Sequence, residues 1–565
     1  MEIHVTIDFY DDVRGAECEW TEEYLRGAVR DLAARGISAI HWIDCTTPEG
    51  FWEEGSYMDG PGGLGTRVRE RIPEPLKVLC DEAHRCGIRA YAVLKPHDMA
   101  IGEPFASFPV GKGPDPPVGL PHVGGVSSKA VRWLREHPDM RMRIHPSLEA
   151  SPQVGGPIST IRIWHEKAEL DGGFDFRLWT SPDIGRYEPY EGPTTRNDRV
   201  LSRKPPLFSY APAQEYGAQD QYHCVEISGL DIDERFVALE VLADGGLANT
   251  LTALVELEDS SGQTVPFTYG IVPYQPYGDS DRDWREVGIA FDACRGLPLP
   301  GRGCTGTRSC LGYRLEVGAL PCLGFARGRN TYLNGPLEFA HPEVNDWLLS
   351  LISRELDAGV DGVDLRFDTH TESLDWDNYG FAEPLMEEFQ NRHGVDVRRE
   401  KFDRSLWRRL RGEYLEAFLQ RAGKAVRNPN RELFVHINND MNKTPDEFSR
   451  YECYRDWRGW IRKGWVDGIT FKSLKLRGEF EEELNEVCSR EGVKRLSCEK
   501  PALHGAGGME SDDGRIELLE KARRKNYEIF NLYELATYAH LGPDGRLVFH
   551  QPRFWDHVAD IAENN

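Results

Sequence analysis

Between His341 and Glu372 the chain reads HPEVNDWLLSLISRELDAGVDGVDLRFDTHTE, and its apolar positions change period partway along. Val344, Trp347, Leu348, Leu351, Ile352 and Leu356 recur at helical spacing, with Pro342 where a first turn tolerates proline and Gly359 as a stop. The period then becomes two: Val363, Leu365 and Phe367 alternate with Asp364, Arg366 and Asp368. The spacing predicts a strand with one apolar face and one charged face, directly after an amphipathic helix. That combination suits a parallel barrel, whose strands pack one face under helices and turn the other inward. Charges on the inward face are expensive unless they pair with one another or with a ligand.

The same helix and strand rhythm runs through both ends of the chain. HVTIDFY is followed by a helix, TEEYLRGAVRDLAARG, with Thr21 as cap and Gly36 as stop; then come the strand SAIHWIDC, the helix EPLKVLCDEAHRCG and the strand IRAYAVLKPHD. After His341 the predicted strands are GVDGVDLRFD, ELFVHINND, VDGITFKS, VKRLSCEKP and YEIFNLYEL. The helices between them are FAEPLMEEFQNRHG with SLWRRLRGEYLEAFLQRAGKAV, FSRYECYRDWRGWIRKG, EFEEELNEVCSREG and GRIELLEKARRKN. Three strands before the interruption and five after it give eight, the number of an α/β (β/α)8 TIM barrel. Between residues 105 and 330 the rhythm breaks. RFVALEVLAD, LTALVELED, TVPFTYGIV, WREVGIAFD and YRLEVGA read as antiparallel strands of a β-sandwich insertion after strand three, preceded by one helix, SSKAVRWLREH. The expected division is therefore 1–104 for the first part of the barrel, 105–330 for the insertion and 331–565 for the remainder. Loops after strands lie on the active face, so the insertion should border the site.

Composition narrows the function without changing the fold. Of 565 residues, 40% are hydrophobic and 28% charged, which suits a large soluble core. A net charge of -25 argues against nucleic acid or an anionic membrane as partner. No stretch is long and apolar enough to span a bilayer. Met1 leads straight into a strand, so the expected location is cytoplasmic, or periplasmic or secreted if a leader has been removed. The twelve cysteines lack metal-ligand spacing and read as mostly reduced, with a disulfide open only within Cys304–Cys322. Oligomeric state is left open.

Chemistry in such a barrel comes from polar residues at the C-terminal ends of strands. Strand one offers Asp8; strand two, Trp42 and Asp44; strand three, Lys95, His97 and Asp98. Strand four offers Asp364, Arg366 and Asp368, with His370 and Glu372 beyond; strand five, His436, Asn438 and Asp440. Lys472, Glu499, Asn531, Tyr533 and Glu534 close the ring. Hydrolysis of a glycosidic bond needs two carboxyl groups, one protonating the leaving oxygen and one attacking the sugar or activating water. Asp364 beside Arg366 reads as an internal ion pair. Lys95, Arg366, Lys472 and Lys500 either neutralise the carboxylates or bind an anionic sugar. Trp42, Trp52, Trp376 and Tyr379 could stack on sugar rings, whereas Trp347, Trp407, Trp457 and Trp460 lie on helices and read as packing.

The run NGPLEFAHPEVNDWLLSLISRELDAGVDGVDLRFD, continued by YGFAEPLMEEFQNRHGVDV and SLWRRLRGEYLEAFL, resembles family-10-like, hypothetical-type glycosyl hydrolases over roughly 330–425. The resemblance implies a TIM-barrel hydrolase of sugar polymers, and the residues themselves suit paired-carboxylate chemistry without cofactor or metal. By analogy with retaining barrel glycosidases, Asp368 would be acid/base and Glu499 nucleophile, or the reverse. Asp8, Trp42, Asp44, Lys95, His97, Asp364, Arg366, His370, Glu372, His436, Asn438, Asp440, Lys472, Tyr533 and Glu534 would meet the substrate. Two alternatives stand beside this reading. One is a metal-dependent hydrolase, isomerase or lyase using Asp368, His370 and Glu372 with His97 and Asp98. The other is a catalytically silent carbohydrate-binding barrel.

Overall fold

In the computed structural model the described residues are 1–8, 12, 16–43, 68, 70–99, 132–147, 156–165, 175–181, 187–202, 222–242, 254–265, 267–271, 290–291, 322–327, 332–367, 378–427, 430–437, 444–447, 453–471, 478–499 and 512–563. Eight parallel strands close into a barrel. They are β1 (Glu2–Asp8), β2 (Ala39–Ile43), β3 (Arg89–Leu94), β4 (Gly362–Leu365), β5 (Glu432–Ile437), β6 (Gly468–Phe471), β7 (Lys494–Glu499) and β8 (Ile529–Tyr533). The ring closes where β1 pairs with β8, from Glu2 opposite Ile529 to Thr6 opposite Tyr533. The seam between the two sequence halves is the pairing of β3 with β4, which sets Val93 beside Asp364.

All but the last of the helices named below form where the sequence signals them. Helix α1 (Glu22–Ala34) is capped by the Thr21 side chain, which accepts from the Tyr24 N–H, and Gly36 beyond it takes a positive φ of 85°. Helices α2 (Pro75–Arg85) and α3 (Pro342–Asp357) begin on proline. After β4 come α4 (Glu383–His393) and α5 (Arg404–Val426), the latter capped by Asp403. Then follow α6 (Trp457–Arg462), α7 (Gly478–Glu491), α8 (Asp512–Arg524) and α9 (Pro552–Glu563). Residues of α1 such as Leu25, Val29 and Leu32, and of α3 such as Val344, Leu348 and Ile352, share one core with Ile3, Val5, Ile7, Val363 and Leu365. On β1 and β4 the apolar parity therefore packs under helices, as the alternation in the sequence required, whereas on β7 the apolar Leu496 and Cys498 face the barrel interior. Trp407, Trp457 and Trp460 are fully buried, and Trp347 stacks on Trp133 with centroids 4.5 Å apart.

Between β3 and β4 the described residues form a two-stranded antiparallel pair, 141–143 with 332–337, and two larger antiparallel sheets. One of the larger sheets has six strands, in the order 290–291, 267–271, 322–327, 236–242, 175–181 and 188–189. The other has four, in the order 254–259, 158–165, 222–232 and 195–201.

The sequence reading differs from the structure in several places. It passed over 158–165, 175–181, 195–201 and 222–232; TRNDRVL (195–201) carries no apolar alternation because most of it is exposed. YRLEVGA lies outside the described residues. The helix read across FSRYECYRDWRGWIRKG is shorter than expected: Asp456 caps the Gly459 N–H, so the described helix starts at Trp457. The hairpin 539–541 with 547–549 and α9 lie beyond the eighth unit and were not anticipated.

Candidate active site

The barrel interior is layered. Its floor is apolar: Ala39, Tyr91, Phe434, Leu496 and Ile529 form one cluster. Two glycines make room for the rings. A Cβ on Gly362 would sit 2.9 Å from the Tyr91 ring, and one on Gly468 would overlap Phe434. A second apolar layer, Ile43, Val93, Cys498 and Tyr533, lies toward the C-terminal ends of the strands.

Between these layers runs a hydrogen-bonded polar chain. His4 Nε2 lies 3.0 Å from Glu2 Oε2, and His4 Nδ1 lies 2.9 Å from His41 Nε2. His41 Nδ1 in turn lies 3.0 Å from Asp364 Oδ2. The same carboxylate oxygen accepts from Arg366 Nε at 3.0 Å and from Arg366 Nη2 at 2.7 Å. Arg366 Nη2 also donates to Thr6 Oγ1 at 3.1 Å, and Thr6 donates to Asn531 Oδ1 at 3.0 Å. Both imidazoles rest on the floor, with His41 stacked on Tyr91 at 4.9 Å. His4, His41 and Asp364 are 0% exposed and Arg366 is 5% exposed.

Burial disfavours the Asp364 carboxylate, but Arg366 and His41 overcome it and hold the group well below the usual range. Burial likewise opposes the Arg366 charge, and Asp364 more than restores it. Burial opposes a positive charge on His4 and on His41, and the hydrogen bond from each ring to its carboxylate favours it.

Above this chain the guanidinium of Arg366 lies 5.3 Å from the Tyr533 ring centroid. Tyr533 is buried, which raises its hydroxyl well above the ordinary value; Glu534 and Asp8 raise it further and Arg366 opposes them. Asp8, Arg366, Tyr533 and Glu534 thus share one mouth, contributed by β1, β4 and the end of β8.

A second group forms at the end of β3. Lys95 pairs with Asp98 at 3.8 Å, and the His97 ring packs 5.6 Å from Phe339 and 5.8 Å from Phe367. His436 is buried on β5 beside Thr470 in register.

Asp364 is the ion-pair partner of Arg366 that its spacing implied. Trp42 corrects an expectation: it has the outward parity of β2, is 1% exposed and packs in the core beneath the helices, so its ring has no open face for a sugar. Tyr379 is buried in the same core. Asp44, Trp52, Asp368, His370, Glu372, Trp376, Asn438, Asp440, Lys472 and Lys500 lie outside the described residues. Glu499 ends β7 with its backbone opposite Leu532, and its side chain is likewise outside them. His4, His41 and Thr6 are not among the candidates that the sequence suggests, whereas Asn531 at the end of strand eight is. The available signal was parity: His4 and Thr6 share a face with Asp8.

No family model matches the sequence, so the likeness to family-10-like hydrolases stays a resemblance. No curated protein matches it either. Solved structures similar in shape include the catalytic domain of β-amylase from Paenibacillus polymyxa, with TM-score 0.39, 10% identity, 99% of this chain covered and 98% of that one. A β-galactosidase from the psychrophilic Marinomonas ef1 has TM-score 0.39 and 9% identity over 100% of this chain and 59% of that one. A rhamnosidase from Novosphingobium sp. PP1Y has TM-score 0.36 and 12% identity over 94% and 55%.

Among the described residues no group of three His, Cys, Asp or Glu side chains is placed to hold a metal ion, and no described helix is long and apolar enough to cross a membrane. Cys18, Cys80, Cys86, Cys224, Cys453, Cys488 and Cys498 are free thiols, while Cys304 and Cys310 lie outside the described residues.

Proposed function

We propose that the protein hydrolyses glycosidic bonds of an oligo- or polysaccharide with a pair of carboxyl groups at the C-terminal mouth of the barrel. The observation that carries the reading is the set Asp8, Arg366, Tyr533 and Glu534 gathered at one mouth, above a buried charged layer that an apolar filling could have replaced. Glycoside hydrolysis requires an acid, a nucleophile or base, and hydroxyl-binding groups around one ring.

Asp368 follows Phe367 beyond β4, and Glu499 ends β7. Asp368 acts as acid/base and Glu499 as nucleophile, or the two roles are exchanged. Asp8, Lys95, His97, Arg366, Tyr533 and Glu534 bind and orient the sugar. The two inserted sheets form a sandwich that leaves the barrel at the end of β3, the side from which Lys95 and His97 come, and so shape the cleft. No cofactor takes part.

The test is substitution of the pair. Glu499→Gln and Asp368→Asn should each lower turnover of a cleaved glycan by roughly a thousandfold or more, with melting temperature unchanged. An unimpaired Glu499→Gln protein refutes its assignment.

A further inference from the structure

The polar chain in the barrel can be counted in protons. It has three contacts, Glu2 to His4, His4 to His41 and His41 to Asp364, at 3.0, 2.9 and 3.0 Å. Each contact is a hydrogen bond only if one proton lies in it. The two ends are carboxylates and bring none. Glu2 is bonded to His4, which lowers it to about 2, and it is also paired with Arg89. Asp364 is held ionised by Arg366 and His41. Two neutral imidazoles bring one ring proton each. Two protons cannot fill three contacts; the remaining contact would set the lone pair of a fully buried ring against a carboxylate or against a second ring. We infer that His4 and His41 act together as one buried cation, holding three ring protons and a single positive charge at neutral pH, and that this charge lies beneath the barrel mouth.

The surroundings allow it. His4 faces Glu2 and Arg89 from the N-terminal end, Tyr91 from the floor and His41 from β2. His41 faces Asp364 and Arg366 from β4, Arg89 from β3, and the rings of Tyr91 and Phe434. Two carboxylates flank the pair directly, one at each end. Near-linear ring contact fits as well: the two centroids are 5.2 Å apart with the nitrogens at 2.9 Å. Desolvation opposes a charge on either ring; the carboxylate at each end and the proton shared across the 2.9 Å ring contact oppose that cost, so the charge belongs to the coupled pair.

The consequence for the mouth rests on the proposed glycosidase reading. Asp364 then lies between two cations, the histidine pair and Arg366. The cluster of these three has one net positive charge, directly under Tyr533. Such a charge favours the ionised form of the carboxylates at the mouth, one of which must be an anion to serve as nucleophile. His4 and His41 are positioning residues in this scheme.

Protein labelled with 15N-histidine tests the count without any substrate. Loss of signals in His4→Gln and His41→Gln assigns the two rings. The expected result is three protonated nitrogens among the four between pH 6 and 8. Two protonated nitrogens, one per ring, would overturn the inference. If either variant fails to fold, neutron diffraction from wild-type crystals counts the same deuterons.

The second arm is the pH profile. His4→Gln should move the acid limb of kcat/KM upward by about 0.5–1 pH unit, with the plateau within a few fold of wild type. An unmoved limb removes the role at the mouth. Failure to cleave any glycan would instead refute the proposed function, while the proton count stands or falls on the spectra alone.

Discussion

Two ionic clusters occupy the same barrel, and they live in different solvents. At the N-terminal end Glu2, Arg89, Glu432 and Lys494 interlock, with Lys494 Nζ donating to Glu432 at 2.6 Å and Tyr91 Oη donating to the same carboxylate at 2.6 Å. Those four charged side chains keep 23–45% of their surface. In the middle His41 and Asp364 keep none. The outer cluster seals one end of the barrel and costs little, because water still supports its charges. The inner one gives up hydration that a few aliphatic side chains would not have needed, and the floor and upper layers show that this barrel can be filled that way. The contrast is what the proposed function requires: inner charges kept for the mouth above them, at a cost in hydration.

That contrast can be broken by substitution. Asp364→Leu should be the most damaging change, costing on the order of 3–5 kcal/mol in urea unfolding, because Arg366 is left buried without its counter-charge. A loss under about 1 kcal/mol would mean that water reaches the centre.

Glu355 on α3 supplies the intermediate case, a buried carboxyl with no strong cation beside it. Burial raises it from 4.5 to about 8, and its Oε2 has no hydrogen-bond partner. Its folded value exceeds the unfolded one, so its contribution to stability is fully present below about pH 4.5. It is lost as pH rises through about 8. Melting temperature should therefore fall between pH 5 and 8 in the wild type and fall less in Glu355→Gln. The variant should be more stable by on the order of 1–2 kcal/mol at pH 8. Parallel curves would show that Glu355 ionises freely.

Glu432→Gln, in the exposed cluster, should cost under about 1 kcal/mol, and that loss should shrink further in 0.5 M salt. A cost as large as that of Asp364→Leu would erase the distinction between the two ends.

The sequence shows which of these features can be read without coordinates. The strands were legible because a change from helical to twofold spacing is local, as at Leu356 to Val363. The Asp364–Arg366 pair was legible because residues two apart on a strand share a face. The His4–His41–Asp364 chain was not, since it depends on which residues of β1, β2 and β4 come level, and shear in a closed barrel sets that. Trp42 was misread for a related reason. Strand β2 is buried on both faces, so its composition does not reveal that Trp42 faces the helices while His41 and Ile43 face inward. The four-stranded inserted sheet was only partly legible, because an exposed strand such as 195–201 has no apolar face to mark it.

The most direct test of the whole account is whether the wild-type chain releases sugar from a panel of neutral and acidic polysaccharides and aryl glycosides, with Asp368→Asn/Glu499→Gln as the blank and product anomers followed by NMR. The account predicts cleavage of at least one glycan, unaffected by chelator and abolished in the double variant. Binding without cleavage, or cleavage that persists in the double variant or vanishes with chelator, would contradict it.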